Sequence, residues 1–162
     1  MSRLDSVIRR LQAQRACLEH AAALVPELPG PVFELGLGHG RTFDHLREIC
    51  PEREIFVFDR QLAATAECAP DADHLILGDI RETLPRAARR FPKAVALIHS
   101  DIGTGDARRN ACLAACVAAH LPALLCPGGI VVSDQDLAHD GSTRLALPEG
   151  VGAGRYFMNR AS

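Results

Sequence analysis

The residues with chemical potential in this sequence collect just behind short apolar runs. The run Val32–Leu35 leads into Glu34-Leu35-Gly36-Leu37-Gly38-His39-Gly40-Arg41. Glycine at alternate positions lets the backbone turn tightly and come close to a ligand. The spacing departs from the dinucleotide fingerprint, which needs glycine at position 41. Arg41 stands there instead, and its side chain would crowd a pyrophosphate. A carboxylate just ahead of the glycines also argues against a diphosphate; Glu34 suits a cationic amino group, met directly or through water. Taken alone, the motif reads equally well as a turn with no ligand.

The run Ile55–Phe58 ends in Asp59, about twenty residues past the first glycine, where a carboxylate can accept both hydroxyls of a ribose. An aspartate is also a favoured helix N-cap, but its register with the glycine turn favours the ribose. The run His74–Leu77 ends in Gly78-Asp79-Ile80. Asp79 suits the exocyclic amino group of an adenine, with Ile80 against the ring face; capping is again an alternative. Ala94–Ile98 is followed by His99-Ser100-Asp101-Ile102-Gly103-Thr104-Gly105-Asp106, and Ile130–Ser133 by Asp134-Gln135-Asp136. Two further acidic clusters therefore sit at strand ends.

Something must bring these ends together. Leu4, Val7, Ile8, Leu11, Leu18, Ala22 and Val25 recur at helical spacing. Prolines at 26, 29 and 31 stop that helix. Helical stretches are expected at 42–50, 61–68, 82–90 and 108–125, between the apolar runs. Short, almost continuously apolar strands alternating with helices imply a parallel sheet buried on both faces. Right-handed crossovers then give an α/β, three-layer α/β/α doubly wound, Rossmann-like sheet, with ligands beyond the carboxyl ends of its strands. Residues 143–147 and 155–159 read as a C-terminal antiparallel hairpin. The whole chain, 1–162, is expected to be a single domain, with the helix in 1–28 as a candidate lid.

The ordered set resembles the class I S-adenosylmethionine (SAM) methyltransferases: Glu34-x-Gly36-x-Gly38-x-Gly40, Asp59, Gly78-Asp79, Leu125-Cys126-Pro127-Gly128-Gly129 and the final hairpin. The likeness spans about residues 30 to 160. It implies that SAM is the cofactor, with Glu34, Gly36, Leu37, Gly38, His39 and Gly40 around its methionine portion. Asp59 and Arg60 would then serve the ribose, Asp79 and Ile80 the adenine, and Ser100 would close the site. The connection from Gln135 to Ser142 is shorter than the helix usual in that family, so the end of the sheet is expected to be irregular.

The acceptor would lie near the fourth and fifth strand ends, where two chemistries compete. Displacement at a sulfonium methyl mainly requires alignment, with Asp101 or His99 orienting or deprotonating an acceptor hydroxyl or amine. Alternatively Asp101, Asp134 and Gln135 ligate Mg²⁺, resembling metal-dependent O-methyltransferases, with Gln135 where those enzymes carry asparagine. An NAD(P)-binding oxidoreductase and a non-catalytic SAM-binding domain are the rival functions.

Composition narrows the partners. The 162 residues are 48% hydrophobic and 23% charged, with a net charge of −2, which lacks the basic excess of a nucleic-acid binder. No apolar run approaches the ~18–20 residues that cross a bilayer. The first residues lack a signal-peptide apolar core. The six cysteines include no CxxC pair, and Cys112 and Cys116 read as buried free thiols. A cytoplasmic enzyme with a small-molecule acceptor is expected, with neither nucleic acid nor membrane as partner. A homo-oligomer would cover the open sheet edge and apolar helix faces.

Overall fold

In a computed structural model describing residues 2–162, the apolar runs form a seven-stranded sheet. The elements are α1 (Arg3–Leu24), β1 (Val32–Leu35), α2 (Arg41–Ile49), β2 (Ile55–Asp59), β3 (Leu75–Leu77) and α3 (Ile80–Arg90), followed by β4 (Val95–Ser100), α4 (Ala107–Leu124), β5 (Leu125–Ser133), β6 (Ser142–Arg144) and β7 (Phe157–Ala161). The strand order is β3-β2-β1-β4-β5-β7-β6. β1 to β5 run parallel, and β7 enters antiparallel between β5 and β6. The doubly wound sheet with a closing antiparallel hairpin is the expected architecture.

Period-two alternation splits the core into two layers. Val32, Val57, Leu97, Ile130 and Val132 pack under α1 and α2, with Tyr156 and Met158. Phe33, Leu35, Phe56, Phe58, Ile98 and Val131 pack under α3 and α4. Every residue of β1 and β4 is buried, as strands covered on both faces must be. The second layer centres on Phe33, whose ring centroid lies 5.0 Å from that of Phe58 and 5.3 Å from that of Phe91.

Several boundaries differ from the sequence reading. The helix expected at 61–68 is absent; a single 3-10 turn, Ala66–Cys68, lies there instead. The stretch offers too little apolar surface to dock a helix: residues 61–68 contain no buried position. β5 begins at Leu125 rather than Ile130, because Leu125 pairs with Val95 before a register shift absorbs the Pro-Gly-Gly. The hairpin strands are Ser142–Arg144 and Phe157–Ala161, displaced from 143–147 and 155–159. The segment between β5 and β6 carries no helix, as its length implied. Among the described residues, no helix is long and apolar enough to cross a membrane.

The chain leaves β1 for β2 and β3 on one side, then returns to lay β4 on the other. The crevice between the ends of β1 and β4 is thus the point where strand order reverses. Gly36 and Asp101 meet there: a Cβ on Gly36, whose φ is +95°, would lie 2.7 Å from the Asp101 carbonyl oxygen. Only glycine permits this contact.

Phe33 is fully buried at the centre of its layer, so Phe33→Ala is expected to cost about 3–5 kcal/mol. Urea unfolding checks this: the midpoint should fall with the slope unchanged.

Candidate active site

A cavity of about 300 Å³ opens at that reversal point. Gly36 and Gly38 from the first turn, Asp59 and Arg60 after β2, Gly78, Asp79 and Ile80 after β3, and Asp101 after β4 all line it. Sequence reasoning had singled out Gly36, Gly38, Asp59, Arg60, Asp79, Ile80 and Asp101, and the fold brings these seven together. It had passed over the far wall, Ile102 to Thr104 with Arg109, Cys112 and Leu113 of α4. Ile102 to Thr104 follow directly behind β4; Arg109, Cys112 and Leu113 carry no motif and come from the first turns of α4. Cys112 was expected to be a buried thiol; it is exposed.

Asp59 caps no helix, since none follows it. Its Oδ2 accepts from the backbone N–H groups of Leu37 (2.8 Å) and Gly38 (3.1 Å), and its Oδ1 from those of Arg60 (2.6 Å) and Gln61 (3.2 Å). One carboxylate therefore holds the glycine turn against the end of β2. Asp79 does cap a helix: its Oδ1 accepts from the Arg81 N–H at 3.0 Å at the start of α3. The Arg81 guanidinium, at 2.6 Å, holds the Asp79 carboxyl well below the usual carboxylate range.

Five expected site residues do not reach the cavity by their side chains, and a sixth, Gly40, does not line it. Leu37 and Ser100 are buried, and Glu34 and His99 are fully so. Glu34 is the third residue of β1 rather than its tip, and it registers opposite His99 of β4. Alternation turns both onto the α1–α2 face. His39 is exposed on the outside of the turn, and Gly40 is buried against the Cys68 carbonyl.

These buried polar groups satisfy one another. Glu34 accepts from the Thr42 hydroxyl and lies 2.7 Å from His99 Nδ1; His99 Nε2 is 3.1 Å from the Tyr156 hydroxyl. Burial opposes the charged imidazolium of His99, but the Glu34 carboxylate beside it prevails and raises the His99 pKa. Both ring nitrogens are engaged, so His99 is placed to hold the strands rather than to meet an acceptor.

Asp101 receives two side chains of α1 that sequence reasoning missed. Arg10 Nη1 lies 2.9 Å and Gln14 Nε2 2.8 Å from its Oδ2. The helical spacing of α1 carried no hint that these two polar positions face a strand end more than eighty residues away. Asp134 stands close by, its Oδ2 3.4 Å from Gln135 Nε2, and its Oδ1 is buried with no hydrogen-bond partner among the described residues. Burial, and then the negative charge of Asp101, push its carboxyl up to about 6. Asp101, Asp134 and Gln135 are thus neighbours, as the metal alternative required. The cation facing Asp101, however, is Arg10, and the Gln135 amide turns its nitrogen toward Asp134. Among the described residues, no three His, Cys, Asp or Glu side chains gather as metal ligands.

A carboxyl whose pKa is raised by folding favours the folded state at low pH, and that contribution is lost as pH rises through about 6. Asp134→Asn is therefore expected to raise the melting temperature at pH 8 by roughly 2–5 °C and to leave it unchanged at pH 4. Thermal melts at the two pH values check the sign.

A family model described as S-adenosyl-L-methionine methyltransferase matches residues 1–161. The crystal structure of an S-adenosyl-L-methionine methyl transferase from Silicibacter pomeroyi is 44% identical, with a TM-score of 0.94 over 100% of this chain and 99% of that one. TrmN from Thermus thermophilus (20% identity, TM-score 0.59, 90% of this chain and 48% of that one) shares the fold. So does a probable spermidine synthase from Corynebacterium glutamicum (17% identity, TM-score 0.60, 93% and 63%). No curated protein matches the chain. Of the rival functions raised by the sequence, the oxidoreductase and the non-catalytic domain give way to methyl transfer. The chain belongs to the S-adenosyl-L-methionine methyltransferase family, and it is an enzyme whose methyl donor is SAM.

Proposed function

We propose that SAM lies across the strand ends at the β1–β4 crevice and that a small-molecule acceptor enters from the side of β4, β5 and α1. The observation that carries this reading is the convergence of Gly36, Gly38, Asp59, Asp79, Ile80 and Asp101, from four successive strand ends, on one hollow. The hollow suits the donor chemically. A Cβ on Gly38 would meet nothing within 4 Å, which leaves an open cradle beneath a methionine chain. Asp59 stands on the wall that a ribose diol would meet, with Arg60 beside it. Asp79 faces an exocyclic amine, and Ile80 an adenine ring. Leu37, His39, Gly40 and Ser100 shape the turn and floor. Glu34 supports the turn through Thr42 rather than meeting the amino group itself.

SAM supplies a methyl group on a sulfonium, open to displacement by a nucleophile. The protein's own part is alignment and a proton sink. Asp101 orients the acceptor at the cavity wall. Asp134, with its carboxyl near 6, is matched to take a proton from an acceptor hydroxyl or amine close to neutral pH. His99, buried behind them, is a positioning residue. The Arg10 guanidinium on Asp101 supports a displacement without metal; Mg²⁺ through Asp101, Asp134 and Gln135 is the alternative.

The Arg10 and Gln14 contacts set α1 beside Asp101 and support it as a lid for the acceptor side, and a hollow of about 300 Å³ favours a small molecule. Leu4, Val7 and Ile8 at the start of α1 are 67%, 49% and 43% exposed, an apolar strip that a second copy of the chain would cover. A cytoplasmic enzyme remains our reading.

S-adenosylhomocysteine at about 100 times its Kd is expected to raise the melting temperature by roughly 5–10 °C, whereas NADH should give no shift. Loss of the Asp59 charge in Asp59→Asn should weaken S-adenosylhomocysteine about 10- to 100-fold by calorimetry. A wild-type protein that ignores S-adenosylhomocysteine would overturn the reading. Labelled methyl from SAM, offered with a metabolite extract with and without chelator, then tests the acceptor class and the metal requirement together.

A further inference from the structure

The buried face of α1 is made of Ala13, Cys17, Leu18 and Ala21, with one polar exception, Gln14. Burying an amide costs free energy unless its hydrogen bonds are met. Both N–H bonds of Gln14 are used: Nε2 donates to the Tyr156 hydroxyl at 2.7 Å and to Asp101 Oδ2 at 2.8 Å. Tyr156 is itself fully buried, and its hydroxyl also meets His99. Neither Gln14 nor Tyr156 lines the cavity; Asp101 does.

We propose that Gln14 and Tyr156 are positioning residues for methyl transfer, fixing the orientation in which Asp101 presents its carboxylate to the transferring methyl. The Asp101 side chain is 23% exposed and free to rotate were it held at one point only. Arg10 alone would be a weak restraint, because its own side chain is 42% exposed and a surface ion pair contributes little. Gln14 is different. It is rigidly buried, and Tyr156 fixes its amide plane from the far side. Arg10 and Gln14 both bond Oδ2, so two side chains of α1 fix one oxygen of a carboxylate that belongs to the cavity wall. The line continues through His99 and Glu34 to Thr42, the second residue of α2, directly behind the glycine turn. One chain of hydrogen bonds therefore spans the donor cradle and the acceptor-side carboxylate. A buried network of this kind fixes geometry more firmly than its separate pairs would.

This rests on the proposed placement of SAM, and the test separates the two. Sinefungin, which carries an ammonium where SAM carries its methyl-bearing sulfonium, reads the orientation of a nearby carboxylate; S-adenosylhomocysteine has no charge there. Calorimetric titration of the full chain with both ligands gives the ratio of their affinities for wild type, Asp101→Asn, Gln14→Leu, Tyr156→Phe and the double variant Gln14→Leu/Asp101→Asn. Wild type is expected to prefer sinefungin, and Asp101→Asn to lose the preference. Gln14→Leu and Tyr156→Phe should each reduce it roughly three- to tenfold, and Gln14→Leu should add less than about twofold in the Asp101→Asn background. A purely structural role would lower stability and weaken both ligands alike, leaving the ratio unmoved. An unchanged ratio in both Gln14→Leu and Tyr156→Phe, with wild type binding both ligands, overturns this inference alone; a wild type that binds neither ligand overturns it together with the placement of SAM.

Discussion

A carboxylate in the middle of β1, with no exposure to water, has to be satisfied from within the protein. Glu34 is that group. A buried, unpaired carboxylate would cost several kcal/mol, so its neighbours are constrained to answer it. Thr42 answers from the first turn of α2, and His99 from the adjacent strand. His99 then needs a partner of its own and finds Tyr156, which finds Gln14, which finds Asp101. Each group is an obligation passed to the next. The sequence of obligations ties α2, β4, the residue before β7, and α1 to one another on the same face of the sheet.

The site is a consequence of that arrangement together with the reversal of strand order at β1. Parallel strands deliver their carboxyl ends to one rim, and the reversal opens a gap there that no crossover fills. The glycine turn occupies the gap because residues with a Cβ would collide, as the approach of Asp101 to Gly36 shows. Asp59 then serves the turn as much as any ligand, since four backbone N–H groups converge on its carboxylate. Two of these bonds, from Leu37 and Gly38, preorganise the glycine turn, so less ordering is left to the moment of any binding.

The ends of β4 and β5 are built differently. Burial and the nearby charge of Asp101 raise the cost of charge on Asp134, while the guanidinium from α1 lies on Asp101. Repulsion and partial burial leave Asp134 a carboxyl able to exchange a proton near neutral pH, a property an isolated surface aspartate lacks. The chemistry of methyl transfer asks for little more than this beside good alignment.

Much of this was legible without coordinates. Apolar runs at regular intervals dictate buried parallel strands, and the glycines and carboxylates behind them gather on one rim. Gly36, Gly38, Asp59, Asp79, Ile80 and Asp101 could be named from spacing alone, because a residue that follows a strand has only one rim to occupy. What spacing could not reveal was the face on which a residue inside a strand would point. Glu34 and His99 read as ligand-facing, yet both lie inside strands, β1 and an extended β4, where alternation turns them into the core. Nor could it reveal Gln14, Arg10 and Tyr156, whose partners lie 87, 91 and 57 residues away along the chain. Short-range pattern records periodicity and turn chemistry. Which distant polar group satisfies which is decided only when the layers close and water is excluded.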